Sequence, residues 1–157
     1  MRSTADVVAR LEELVAALWE EVAASRVTLR LDVAERGFDV DDVVAEARGA
    51  GVKSLRGERS INQRASPTVV WMGRERRLLV QNDLRGATPP APAALTEVYG
   101  TTAQMLGPIV RDDGLVGWIS VHHNGGPREW RASDVAAVER AVAAVRDELD
   151  RAGAAAS

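Results

Sequence analysis

Two segments of strict alternation sort this chain's chemically able side chains onto shared faces. From Ser25 to Val33 the apolar Val27, Leu29, Leu31 and Val33 alternate with Arg26, Thr28, Arg30 and Asp32, so Thr28 and Arg30 fall on one side of a strand. From Leu115 to His123 the same parity gathers Trp118, Ser120 and His122. An arginine can grip a carboxylate through paired donors, and an indole can stack on a flat apolar ligand. Each residue also has a structural use. Tryptophan is commonly a core residue, and Arg30 can simply pair with Asp32 or a neighbour at the sheet edge.

Other chemistries fit the pattern less well. His122 and His123 are adjacent on a strand, point to opposite faces and cannot chelate one ion. Ser120 and His122 stand two apart on a strand, a spacing that rarely aligns a nucleophile with its base, and no glycine-flanked serine elbow supports a hydrolase. The chain has no cysteine, which removes disulfides, thiolate metal sites, a catalytic thiol and thioether attachment of a cofactor. Asp83 reads as a turn-forming side chain rather than a catalytic acid. No metal and no cofactor is expected, and the residues favour a binder over an enzyme.

The elements that position these residues follow from period and punctuation. Val7, Val8, Leu11, Leu14, Val15, Leu18, Trp19 and Val22 repeat at steps of three and four, a helix over 5–23 that starts near Ser3. After the first strand, Asp39 caps a short helix carrying Val40, Val43, Val44 and Ala47, closed by Gly49 and Gly51. Residues 52–67 show neither period and read as a long loop, a functional candidate on length alone. Strands over Thr68–Met72 and Arg77–Gln81, joined by a turn at Gly73–Arg76, come next. A proline-rich loop then leads to a short helix ending at Gly100. Strands over Thr102–Val110 and Leu115–His123 hinge at Asp112-Asp113-Gly114. Ser133 and Asp134 open a last helix whose Val135, Val138, Val142, Val145 and Leu149 form a seam, and Gly153–Ser157 should fray.

A length of 157 residues, with 46% hydrophobic and 27% charged residues, suits a single domain able to bury its own core, with ordered residues spanning about 3–151. The net charge of −3 comes from interspersed charges, so no field exists to attract nucleic acid or an anionic membrane. Acidic residues among the apolar ones of the first helix argue against a signal peptide or membrane span, and a cytoplasmic location is the expectation.

The stretch from Leu78 to Leu149 resembles the C-terminal half of a GAF domain. Its elements are LLVQND ending at Asp83, Met105–Val110 with Pro108, Asp113-Gly114, Leu115–Val121 with Gly117, Trp130 and Asp134. The resemblance implies an α+β fold, with the N- and C-terminal helices on one face of an antiparallel sheet and loops and short helices enclosing a pocket on the other. Members that attach linear tetrapyrroles, or that reduce methionine sulfoxide, use cysteines, so neither activity carries over. The asparagine-lysine-phenylalanine run of cyclic-nucleotide binders is not found.

In that arrangement Val27, Leu29 and Leu31, with Leu115, Gly117, Ile119 and Val121, meet the helices, Gly117 permitting their close approach. Arg30, Trp118, Ser120 and His122 then line the pocket, closed by the Ser60–Ser66 loop with Arg64 and by Trp71 or Tyr99. Reversed parity would present Ile119, Val121 and His123 instead. The expected occupant is a small organic molecule, anionic or aromatic. A homodimer through the terminal helices and an output through a protein partner are implied, since no output domain is present. A ligand-free scaffold, or an enzyme using His122 with Arg30 or Asp83 on a small acid, are the other readings.

Overall fold

Ser3 begins the first helix by accepting a hydrogen bond from the Asp6 N–H at 3.1 Å, which satisfies one of the amide donors a helix start leaves open. The computed structural model describes residues 2–156, and side chains of residues 2–153. Helix α1 (Thr4–Glu21) is followed by β1 (Arg26–Leu31), β2 (Ala45–Arg48), α2 (Pro67–Glu75) and β3 (Leu79–Gln81). Helix α3 (Ala93–Glu97), β4 (Thr101–Arg111), β5 (Gly114–Asn124) and α4 (Ala132–Ala156) complete the order. The five strands form one antiparallel sheet in the order β2-β1-β5-β4-β3. The fold is therefore the expected α+β arrangement.

Helices α1 and α4 cover one face. Val7, Leu11 and Val15 of α1 and Val138 and Val145 of α4 pack on Val27, Leu29, Leu31, Met105, Ile119 and Val121, all buried. Each fully buried aliphatic side chain contributes about 1.5–3 kcal/mol. The seam on α4 is used up in this way: Val138, Val145 and Leu149 lie in the core, with Val135 and Val142 packed against it. Among the described residues the large exposed apolar ones are Val70, Val80 and Val98, none of them on α1 or α4. Helix α4 continues to Ala156 through the segment where fraying was expected, and Ser157 of that segment lies outside the described residues.

Two elements differ from the sequence reading. Residues 39–48 are not a helix: Asp39 Oδ1 accepts from the Asp41 N–H at 2.9 Å in a tight turn, and β2 follows, paired with β1 through Ala45↔Leu29 and Ala47↔Val27. The free edge of β1 carries backbone groups that need partners, and pairing them outweighs two turns of helical spacing. Residues 68–72 are not a strand but lie in α2, where Pro67 occupies the first helical turn and Thr68, Val69 and Met72 are buried. A proline in the first turn is a helix-start signal, and the burial at i, i+1 and i+4 is helical.

The β4–β5 hairpin turns on Asp112 and Asp113, at φ 50° and 64°, the two left-handed residues of the turn that matches strand twist. Gly114 is the first residue of β5. Gly117 does not serve helix approach. A Cβ there would lie 2.2 Å from the Arg30 carbonyl oxygen, so it admits the backbone of β1. Close approach of α4 falls to Gly107, where a Cβ would meet Val142 at 2.7 Å and Val138 at 2.9 Å. No described helix is long and apolar enough to cross a membrane.

Candidate functional site

Register builds the site. Arg26 stands opposite His122, Thr28 opposite Ser120 and Arg30 opposite Trp118 across β1 and β5, and directly paired residues share a face. Across β5 and β4, Gln104 stands opposite His122 and Leu106 opposite Ser120. With Val27, Leu29, Ile119 and Val121 committed to the helices, this second face is the floor of a cavity, and the expected parity holds on β1 and on β5 from Trp118 to His122. It fails at Leu115, which was expected under the helices but packs with the Val40, Val69 and Trp118 cluster while Val116 takes the helix side, because the β4–β5 pairing is irregular between Ile109 and Val110.

The roof comes from the loop after β2, through Leu55, Ile61, Gln63 and Ser66, and from Thr68 and Val69 of α2 with Pro92 and Leu95 at α3. Between roof and floor lies a cavity of about 50 Å³ lined by Arg30, Trp118, Ser120 and His122, room for a few water molecules at roughly 15 Å³ each.

The other three candidates stand off this lining. Arg64 is exposed and pairs with Asp32 at 3.0 Å and Asp39 at 3.3 Å, so it fastens the loop to the β1–β2 connection. Trp71 is half-buried on α2 under the Arg77 guanidinium, 5.0 Å from the ring centre. Tyr99 packs with Val43, Leu55 and Leu95, and its hydroxyl donates to Glu58. The arginines of the loop act alike: Arg56 donates to Val43 O and Glu12, and Arg59 to Asp41 O and Asp42. Glu46 on β2 accepts from the Leu55 N–H at 2.8 Å. Arginine richness in 52–66 is therefore a set of clasps that hold the roof down.

Electrostatics on the floor are one-sided. Arg26 is fully buried and donates to Lys53 O and Tyr99 O, each at 3.2 Å, and to Thr101 Oγ1 at 3.4 Å. Arg30 is 3% exposed and donates to Val40 O at 2.8 Å. Burial lowers the pKa of both guanidiniums, opposed for Arg26 chiefly by Glu46 and for Arg30 chiefly by Asp41. Neither makes an ion pair among the described residues. Burial first, then Arg26 and Arg30, hold the His122 imidazole well below its ordinary 6.5, so it is neutral at neutral pH. Its Nδ1 is buried without a hydrogen-bond partner.

Trp118 is both wall and core, packed with Val40, Val69, Met72 and Leu106. No hydrogen bond joins Ser120 to His122, so no nucleophile–base pair is assembled. His123 points to the opposite face, where it meets Trp130 edge-on at 6.5 Å. Asp83 accepts from the Arg85 N–H and guanidinium as a turn former.

Sequence reasoning missed Gln104, which donates to Gln81 Oε1 at 2.9 Å while Gln81 Nε2 donates to Pro89 O at 2.8 Å. The signal was present: a glutamine inside the apolar run AQMLGPIV, on the parity opposite Met105.

A profile of the GAF domain matches residues 6–147. The chain belongs to the GAF domain family. Among solved structures, this GAF domain is similar to the blue-light absorbing form of the Thermosynechococcus elongatus PixJ GAF domain, with 22% identity, 97% of this chain and 92% of that chain covered, and a TM-score of 0.72. It is also similar to the chromophore-binding domain of the R. palustris bacteriophytochrome RpBphP3, at 19% identity, 99% and 62% coverage and a TM-score of 0.69. A third likeness is to free methionine-R-sulfoxide reductase from Neisseria meningitidis in complex with its substrate, at 14% identity, 96% and 81% coverage and a TM-score of 0.70. At such identities these likenesses establish the fold. No curated protein matches this GAF domain.

Proposed function

We propose that this GAF domain is a non-catalytic sensory module whose cavity under the 52–66 roof takes a small ligand, and whose α1 and α4 pass the occupied state to a protein partner. The observation that carries the reading is unused polar capacity in a buried place. Arg30, Ser120 and His122 line one cavity, and the His122 Nδ1 has no partner, whereas buried polar groups in a finished core are paired.

The relay rests on strand parity. Trp118, Ser120 and His122 face the cavity while Ile119 and Val121, between them in sequence, pack under the helices. A shift of β5 on binding therefore reaches both layers. Pairing of two copies through these helices belongs to the proposal; the surface between α1 and α4 offers it the small or half-buried Leu14, Ala17, Ala141 and Ala144 and, among the described residues, no large exposed apolar side chain. A ligand-free scaffold is the competing reading, and the small volume of the cavity favours it.

Thermal shift against carboxylic acids, aromatic acids and nucleotides separates the two. A ligand at 100 times its Kd adds about 2.7 kcal/mol, or roughly 5–10 °C for a chain of this size. A saturable shift lost in Ser120→Val supports the sensor. A panel with no response, from protein shown to be folded, supports the scaffold.

A further inference from the structure

Resting on that reading of the cavity, we infer that its occupant is a compact planar oxyanion of carboxylate size, gripped by Arg30 and received by the first turn of α2. Three independent features point the same way.

The first is a buried cation with no carboxylate in direct contact among the described residues. Arg30 carries five N–H donors, and among the described residues one hydrogen bond from Nη1 to Val40 O is its only one to a protein acceptor. Burying a guanidinium is costly unless a counter-charge or a full set of acceptors meets it. Arg26 has three oxygen acceptors and is settled. Arg30 is not, and its open donors belong to a residue that lines the cavity.

The second is the helix start on the opposite wall. Thr68 and Val69 are the second and third residues of the nine-residue α2, and both line the cavity. The N-cap Ser66 does not cap with its side chain, since its Oγ donates to Asn62 O, and no acidic residue sits in the first turn. The first turn of α2, which carries the positive end of the helix dipole, therefore borders a space shared with Arg30.

The third is size combined with apolar closure. About 50 Å³ bounded by Leu55, Leu95, Leu106 and Trp118 admits a formate, acetate, bicarbonate or nitrate. It leaves no room for a nucleotide or an extended chromophore, which need several hundred Å³. Among the residues that line the cavity Arg30 carries the one positive charge and His122 is neutral, so an occupant there meets a single cation.

The test is calorimetric and thermal-shift titration of the full chain with formate, acetate, bicarbonate and nitrate. Chloride at equal ionic strength and the neutral isosteres formamide and acetamide serve as controls. Saturable binding of the oxyanions, absent for the isosteres, is expected. A response to formate and acetate alone assigns an organic carboxylate, and a response that includes nitrate or bicarbonate assigns an inorganic oxyanion. Arg30→Gln should weaken binding at least about tenfold, the scale of one charge-assisted contact. Because that variant can lose stability for other reasons, Thr68→Asp provides a second arm: a carboxylate built into the first turn of α2 should abolish binding while leaving the chain folded. Oxyanion binding undiminished in both variants overturns the inference. So does binding of neutral molecules without oxyanions, which leaves the sensory reading standing. No binding of either kind removes both.

Discussion

Replacing Gly117 with alanine tests whether the spacing of β1 and β5 sets the cavity wall. The added Cβ would stand 2.2 Å from the Arg30 carbonyl oxygen and 3.0 Å from the Leu31 Cα. Both are backbone atoms, so no side-chain rotation relieves the contact. Non-bonded heavy atoms rest near 3.5 Å, so the strands must part by about 1 Å at this point. The neighbouring bond from the Asp32 N–H to Val116 O, now 2.7 Å, is lost in the process, at about 1 kcal/mol. Overpacking adds about 1–3 kcal/mol, and the total of about 2–4 kcal/mol lowers Tm by roughly 10 °C. Urea unfolding followed by tryptophan fluorescence measures it. Gly107→Ala is the matched control, because the nearest atoms to its Cβ all belong to side chains, those of Val142, Val138 and Leu78. Adding Val142→Ala should recover about 1 kcal/mol there. Adding Leu31→Ala to Gly117→Ala should recover nothing, since the carbonyl oxygen remains in place. A Gly117→Ala protein as stable as the parent, or one rescued by Leu31→Ala, refutes the account of how the two strands meet.

Two titrations probe the site and its roof. His122 is held well below 6.5 in the fold, whereas in the unfolded chain it takes up a proton near 6.5. The unfolded state then binds more protons below that pH, so stability is full above 6.5 and falls as pH drops, by about 1.4 kcal/mol per unit at most. The difference in unfolding free energy between pH 7.5 and 5.5 should be smaller in His122→Gln by about 1 kcal/mol, and equal slopes would contradict the buried neutral imidazole. Glu58 is pulled down to about 2 by hydrogen bonds from Ser60 and then Tyr99, while burial and Glu58 push the Tyr99 phenol up to about 12. The contribution of Glu58 is therefore present above its unfolded value and lost as pH falls towards 2. Glu58→Gln should speed hydrogen exchange of the 56–66 amides at neutral pH, with the parent approaching the variant in acid. Unchanged exchange would show that the Tyr99–Glu58 contact does not hold the roof.

What could be read from the sequence divides along the distance over which each feature is decided. Face assignment on β1 and β5 depends on alternation within a strand, and Arg30, Trp118, Ser120 and His122 meet as that alternation requires. Element type at 39–48 and 67–75 depends on what lies alongside. Val40, Val43, Val44 and Ala47 carry a helical spacing, yet Val40 and Val43 join two different clusters and the chain from Val44 meets the unpaired edge of β1, where Ala45–Arg48 becomes a strand. Pro67 carried a usable helix-start signal, against the β-branched Thr68, Val69 and Val70 that suit a strand. The same distinction separates the site residues. Arg64 and Tyr99 are reached only through loop paths, and their partners, Asp32 and Asp39 for one and Glu58 for the other, are distant in sequence.

Charge explains why those loop residues were drawn away from the cavity. Arg56, Arg59 and Arg64 each find a carboxylate at the surface, where pairing needs little desolvation. Arg30 is fixed by the alternation of β1 and cannot follow them, so it remains inside with a carbonyl for company. If Arg30 were only structural, a neutral residue of its length would do as well, because replacing a buried charge with apolar atoms is often neutral or stabilising. Arg30→Met therefore distinguishes the two roles in a single comparison. A variant more stable than the parent in oxyanion-free buffer, and insensitive to added acetate while the parent gains stability from it, is the outcome expected of a binding residue. Equal acetate responses in the two proteins would mean that the charge of Arg30 has no part in what the cavity holds.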